Sequence, residues 1–418
     1  MNPVSTPHVR PDVRPHVIAS KGHNGNMRVV QNVFGKFHHF QLARHLYRRG
    51  MLVGIFSSYP RHKLSGEGIP MGLVHTFPYF HMAQFAAGRY LPGSGLYNGE
   101  LSWWLALTLD GYAARRLPDC DVFVGISGSG LKTGRLTQKR GGKYICDRGS
   151  SHIRYTDELL TEEFKRWGQE FEGVYPKHIM REEQEYDQAD LITVPSEFAH
   201  RSYVEMGVPA EKLRRVAYGA DLSRFSKVAD PPADSFEVLC VGQVSFQKGI
   251  PYLLDAFQNF RHPRKRLTMV GGVLPEMEKF LKTRKLDGVE FVGAVPHAQL
   301  KGLMSRSHVV VFPSINDGFG MVIGEAMACG CPVISSENCG GKDLIQDGHE
   351  GYVVPIRDAA AITERLERLA QDPGLRETMG ARSLERVASI GGWDTYGRDY
   401  VAVLESLTAS SLRSEVAA

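Results

Sequence analysis

The feature that most constrains this chain is an alternation of short apolar runs with amphipathic helical stretches, which occurs twice, on either side of a break. From Met27, MRVVQNV passes through a turn at Gly35 into FHHFQLARHLYRRG, whose apolar residues fall at helical spacing and which Gly50 terminates. MLVGIFSS, GLVHTF, a helix over residues 101–117, VFVGISG, KYICD and LITVPS continue the pattern. Strands that alternate with helices predict a parallel sheet covered on both faces. At KVADPPADS the chain turns into a Pro- and Asp-containing linker. The alternation then restarts with FEVLCVGQV, a helix over residues 251–260, RLTMVGG, a helix from about residue 275, VEFVGAV, VVVFPS, PVISS and GYVVP. A length of 418 residues suits two cores rather than one. The expectation is an α/β protein of two Rossmann-like, doubly wound domains, residues 27–226 and 236–391, facing across a cleft. Open sheets of this kind bind ligands beyond the carboxyl ends of their strands, so both binding edges would line that cleft.

Composition narrows the function. With 42% hydrophobic and 23% charged residues and a net charge of +4, the chain is ordinary and globular, and bulk nucleic-acid binding is not expected. The cysteines, Cys120, Cys146, Cys240, Cys329, Cys331 and Cys339, have neither zinc spacing nor the density of a disulfide scaffold. They read as small buried hydrophobes in a reducing cytosol. Residues 1–26 carry Pro, His, Asn and Val without an apolar run, so they read as a flexible tail rather than a secretory signal. The stretch from Trp103 to Ala114 is broken by Asp110 and Gly111 and falls short of the ~20 residues of a membrane span. Trp103 and Trp104, followed by Arg115 and Arg116, read as core, with a peripheral membrane contact as the alternative.

Chemistry concentrates in VVVFPSINDGFGMVIGEAMACGCPVI, where an apolar strand runs through Asp317-Gly318-Phe319-Gly320 into a helix carrying Glu325. Glycines at a helix start admit a ligand close to the backbone, and the free N–H groups with the positive helix end suit a diphosphate. Glu325, an acceptor-only carboxylate one turn into the helix, can hold the two hydroxyls of a ribose. Three other patterns point elsewhere. Asp119-Cys120-Asp121 has the Asp-x-Asp spelling of a divalent-cation site but precedes a strand, at the end away from ligands, and reads as a turn. Gly125, Gly128 and Gly130 follow a strand as in a dinucleotide fingerprint, yet Thr133 stands where its last glycine belongs. His38 and His39, at a helix start, read as partial caps.

The Asp317–Glu325 segment, two acidic residues eight positions apart around Gly-Phe-Gly, resembles the signature of family 4 glycosyltransferases, which have the GT-B fold. EYDQADLITVPSEFAHRSYVEMGVPAEKLRRVAYGADLSRF, VGQVSFQKGIPYLLDAF and GGKDLIQDGHEGYVVP extend the resemblance over most of the chain. It implies that residues 392–418 form helices returning to the first domain. It also implies that Gly318, Phe319, Gly320 and Met321 offer N–H groups to sugar and diphosphate, that Asp317 meets sugar hydroxyls, and that Val295 and Pro296 flank the base. On the first-domain side it implies that the Gly35 loop and His152 stand near the transferred sugar, while Asp147 ends strand KYICD where cleft residues are expected. Two positions depart from the family. Asp317 replaces the usual Glu, and Gln243, after Gly242, replaces the usual Arg. Lys248 matches the second family cation and would face the diphosphate alone.

The activity implied is retaining transfer of a hexosyl unit from a UDP- or GDP-sugar to a saccharide or lipid-linked saccharide, in cell-surface polysaccharide biosynthesis. The chain would work in the cytoplasm or at the inner membrane face, with the nucleotide sugar as co-substrate, no separate cofactor and no metal. The alternatives are a nucleotide-sugar epimerase of the same fold, or a nucleotide-sugar-binding protein without transfer activity.

Overall fold

The computed structural model describes residues 26–79, 82–83 and 99–416, with side chains as far as Thr408. All but the last residue of the expected tail lies outside the described residues. The first domain is a parallel sheet of β1 (Val29–Val33), β2 (Leu52–Ser57), β3 (Val74–Thr76), β4 (Val122–Ile126), β5 (Lys143–Asp147), β6 (Leu191–Val194) and β7 (Leu213–Arg215), in the order 3-2-1-4-5-6-7. The second is a parallel sheet of β8 (Phe236–Val241), β9 (Lys265–Val270), β10 (Val289–Gly293), β11 (Val309–Phe312), β12 (Val333–Ser336) and β13 (Gly351–Val354), in the order 10-9-8-11-12-13. Each sheet reverses its winding once, between β1 and β4 and between β8 and β11, which is where such sheets open a ligand crevice.

The strands form where the sequence is continuously apolar because helices cover both faces, and every residue of β1, β6, β11 and β12 is buried. β7 was not anticipated: it is an edge strand of three residues, two of them arginine, so it carries little apolar pattern. The six cysteines are free, and all but Cys120 are buried. Trp104 corrects the core reading of its segment. The helix Glu100–Arg116 turns Leu105, Ala106, Leu109 and Ala113 inward, which leaves Trp104 off that face and 49% exposed.

Several contacts hold the domains together, among them Ser151 to Asn316 and Ser196 to Gly318 O, and two of them are made by helices. The closing helix Trp393–Val416 returns to the first domain, where Asp394 pairs with Arg48 at 3.3 Å and the Tyr400 hydroxyl meets Thr193 Oγ1 at 3.1 Å. The helix Ile153–Arg166 of the first domain docks on the second through Glu163, which is fully buried. Glu163 accepts from Trp167 Nε1 at 2.8 Å, Tyr252 Oη at 2.9 Å and Arg357 Nε at 2.7 Å. A buried carboxylate with three donors is costly to break, so this contact joins the domains firmly.

Candidate active site

On the second domain, β11 delivers the glycine loop to the cleft and Gly320, at φ 72°, starts the helix Met321–Ala328. Asp317 turns back on this loop. Its Oδ1 accepts from Phe319 N at 3.0 Å and Gly320 N at 2.7 Å, and its Oδ2 pairs with Lys248 Nζ. Lys248 also lies 5.3 Å from the Phe312 ring centroid. The N–H groups of Phe319 and Gly320, expected to face the donor, are therefore taken by Asp317 here. The physical reason is the side chain's length: one methylene shorter than Glu, it closes on donors two and three residues ahead. Gly318 must be glycine for another reason, since a Cβ there would lie 1.9 Å from Gly149 O of the first domain.

Glu325 sits in the same helix, 7% exposed, with His297 Nε2 at 3.6 Å. Burial, with Asp221 nearby, pushes its pKa up to about 7. Pro296 caps the helix His297–Ser305, so Val295 and Pro296 lead directly into the histidine that faces Glu325. Gly242, at φ 149°, and the exposed Gln243 follow β8 on the same edge of the sheet.

On the first domain, Gly35 turns the chain after β1 at φ 67° and is held by Ser57 and Ser58, its O accepting from Ser57 Oγ at 2.8 Å. Phe37, two residues on, is 64% exposed with φ 28°, a strained backbone for a bulky residue. His38 then corrects the capping reading: its side chain makes no cap hydrogen bond and turns instead to Asp147, Nε2 to Oδ2 at 2.5 Å. Asp147 ends β5, is 4% exposed, and accepts from Thr193 Oγ1 through Oδ1. Burial alone would raise its pKa, but His38, His39 and the Thr193 hydroxyl outweigh it and hold the carboxyl at about 2. His39, fully buried, lies 3.4 Å from Asp147, and burial with His38 beside it lowers its pKa to about 3. His38 holds the N-cap position, but neither histidine side chain makes a capping hydrogen bond.

Sequence reasoning did not find the ring that joins the two halves. Tyr218 stacks on His38, centroids 4.4 Å apart, and meets Phe319 edge-on at 5.4 Å. His152, expected beside the sugar, is 3% exposed and caps the helix Ile153–Arg166, its Nδ1 accepting from Arg154 N at 3.2 Å. Its ring packs against Tyr186 and Tyr203, and burial pushes its pKa down to about 4. His152 thus caps and packs, while the histidines beside Asp147 are His38 and His39.

The decoy motifs resolve physically. The N–H groups of Gly128, Gly130 and Leu131 do form an anion cradle, but the Glu185 carboxylate fills it at 2.6, 2.9 and 3.0 Å. Asp121 binds Arg28 N at 2.7 Å at the amino end of β4, away from the cleft. His38, His39 and Asp147 bring three potential metal-ligating atoms within 4.8 Å of one another. The 2.5 Å from His38 to Asp147 is, however, a hydrogen-bond distance. Two ligands of one tetrahedral zinc would stand about 3.3 Å apart.

Residues 223–386 match the family model described as glycosyl transferases group 1. Over 238 residues the chain is 26% identical to a putative colanic acid biosynthesis glycosyltransferase, WcaL, of Escherichia coli K12, covering 54% of this chain and 59% of that protein. The chain thus spans somewhat over half the length of that curated relative. Among solved structures, sucrose-phosphate synthase from Thermosynechococcus elongatus superposes with a TM-score of 0.71 at 23% identity, over 92% of this chain and 100% of that one. Anabaena HepE in complex with UDP and glucose superposes with a TM-score of 0.67 at 16% identity, over 91% and 100%. These likenesses show the fold, GT-B.

Proposed function

We propose that this chain, whose residues 223–386 match the model of the group 1 glycosyl transferases, is a retaining glycosyltransferase. It transfers a hexosyl unit from a UDP- or GDP-sugar to a saccharide or lipid-linked saccharide, in the assembly of a cell-surface polysaccharide. The observation that carries this reading is the second-domain constellation: Lys248 paired with Asp317 just ahead of the Met321–Ala328 helix, with buried Glu325 one turn into that helix. A cation and a helix N-terminus stabilise negative charge on a departing diphosphate, and a carboxylate without a strong partner is matched to ribose hydroxyls. The UDP and glucose in the HepE complex, and the colanic acid role given to WcaL, support the donor and polysaccharide parts of the reading.

In this mechanism the acceptor oxygen attacks the sugar carbon from the face the diphosphate leaves, through an oxocarbenium-like state. Lys248 takes up the charge that a metal ion supplies in other transferases, so transfer proceeds without one. Among the described residues no helix is long and apolar enough to cross a membrane. Exposed Trp104, with Arg115 and Arg116 on the same helix, supports work at the cytoplasmic face of a membrane that carries the acceptor.

Calorimetric titration with UDP, GDP and ADP, with and without EDTA, tests the reading. Selective binding of UDP or GDP that EDTA leaves unchanged is the expected result. A folded protein that binds none of them overturns it.

A further inference from the structure

We propose that Phe37 is the platform against which the acceptor saccharide lays the apolar face of its ring; this rests on reading the cleft as a site of sugar transfer. A pyranose carries its hydroxyls around the rim and exposes C–H groups on its faces. An aromatic ring covers those groups and leaves the hydroxyls free to hydrogen-bond elsewhere. Stacking of this kind holds the acceptor without taking its proton, so it is compatible with attack from the face that the diphosphate leaves.

Besides glycines, two of the described residues have a positive φ: Arg357 at 64° and Phe37 at 28°. The Arg357 side chain accounts for its own strain. Its Nε pairs with Glu163 at 2.7 Å and its Nη1 with Glu162 at 3.0 Å, so the strained backbone serves the contact between the domains. Nothing comparable explains Phe37. Its ring is 64% exposed, and no ring or cation of the described residues stacks on it. A bulky residue rarely adopts such a φ, and strain of this kind persists at functional sites, where the surrounding structure enforces it. The enforcement is visible on both sides of the residue. Gly35 O accepts from Ser57 Oγ at 2.8 Å and Gly35 N donates to Ser58 Oγ at 3.3 Å. Phe37 O accepts from Phe40 N at 3.4 Å, and His38 is tied to Asp147 and stacked on Tyr218.

The position suits an acceptor. Phe37 lies beyond the carboxyl end of β1, one of the two strands between which the first sheet reverses its winding. The next residue, His38, stacks on Tyr218, and Tyr218 meets Phe319 of the donor loop at 5.4 Å. One chain of ring contacts thus runs from the residue beside Phe37 to the donor loop. Lys248, Glu325, Val295 and Pro296, the residues proposed to hold the nucleotide, all belong to the second domain, which leaves the first-domain ring to the acceptor.

The test uses the full chain, saturated with UDP or GDP, and titrates it with methyl glucoside, methyl galactoside and methyl mannoside by saturation-transfer NMR. At least one hexoside should bind, with the strongest saturation on the C–H protons of one ring face. Phe37→Ala should weaken that binding by about fivefold or more, and Phe37→Trp should keep it within about twofold. Both variants should leave nucleotide affinity within about twofold. Phe37→Gly, which suits the positive φ, should lose the hexoside as Phe37→Ala does, with no fall in melting temperature. Hexoside binding unchanged in Phe37→Ala, nucleotide affinity lost in it, or a lower melting temperature in Phe37→Gly would make the ring structural or part of the donor site and overturn the proposal. Absence of hexoside binding by the unaltered, nucleotide-bound protein overturns it as well. Failure of the broader reading looks different: the unaltered protein would bind neither UDP nor GDP.

Discussion

After the fourth strand of each sheet the chain runs through a glycine loop into a helix: residues 127–130 before Leu131–Lys139 in the first domain, residues 317–320 before Met321–Ala328 in the second. Both loops aim backbone N–H groups at a place where an anion belongs, and in both a carboxylate already sits there. In the first domain it is Glu185, more than fifty residues along the chain, fully buried, with Arg181 3.5 Å away. In the second it is Asp317, from the loop itself, 21% exposed and paired with Lys248. A carboxylate supplied by the interior cannot leave without unpacking the domain, so the first cradle is structural. One supplied by the loop's own side chain can rotate away when a better anion arrives, so the second is available to a ligand.

The comparison predicts opposite consequences of emptying the two cradles. Glu185→Ala strands the three N–H groups of Gly128, Gly130 and Leu131, while Arg181 keeps Asp110 and Gly128 O, and should cost about 3–5 kcal/mol of stability by urea unfolding. A cost under about 1 kcal/mol would mean water replaces the carboxylate and the first loop is as open as the second. Lys248→Ala should leave the melting temperature unchanged and lower turnover by about a hundred- to a thousandfold, the usual effect of removing one preorganised group that faces transition-state charge. Unchanged turnover would remove the cation from the mechanism.

Glu325 sharpens the contrast through pH. Ribose hydroxyls donate to the ionised carboxylate, and in the empty protein that form prevails only above about pH 7. Nucleotide affinity should therefore fall about tenfold between pH 8 and pH 6, and the profile should be flat in Glu325→Gln. The stability sign is the reverse. Because its folded pKa lies above the ordinary value, Glu325 contributes stability below the unfolded carboxyl range and loses it as pH rises through 7. Glu325→Gln should accordingly raise the melting temperature of the empty protein at pH 8.

How far the sequence carried depends on how local each feature is. The other twelve strands were legible because each lies in an apolar run, longest where helices cover both faces, while β7, Leu213–Arg215, has no such run. The strand, glycine loop and helix from β11 to Glu325 were legible because they are contiguous. His38 and Asp147 are 109 residues apart, and each was read alone, one as a cap and one as an acceptor-side cleft residue. What unites them is that His38 follows β1 and Asp147 ends β5, on the same carboxyl edge, and that signal is in the sequence once the strand order is known. The Glu185 plug and the Glu163 clasp were not legible at all. Each is a glutamate on a mostly polar helix, and only the packing of distant elements makes it buried.

The smallest effect bears on the second cradle alone. Asp317→Asn keeps a carbonyl oxygen able to accept from Phe319 and Gly320, so the loop should hold its shape, but it removes the charge that occupies Lys248. The pair is partly exposed, and such pairs are worth at most about 1 kcal/mol. Releasing the lysine, and removing a negative charge beside the incoming diphosphate, should tighten UDP or GDP binding by up to about fivefold in a calorimetric titration. Weaker binding would show that Asp317 helps hold the nucleotide instead of competing with it. The two carboxylates would then differ in position but not in kind, and the plug in the second loop would be part of the donor site.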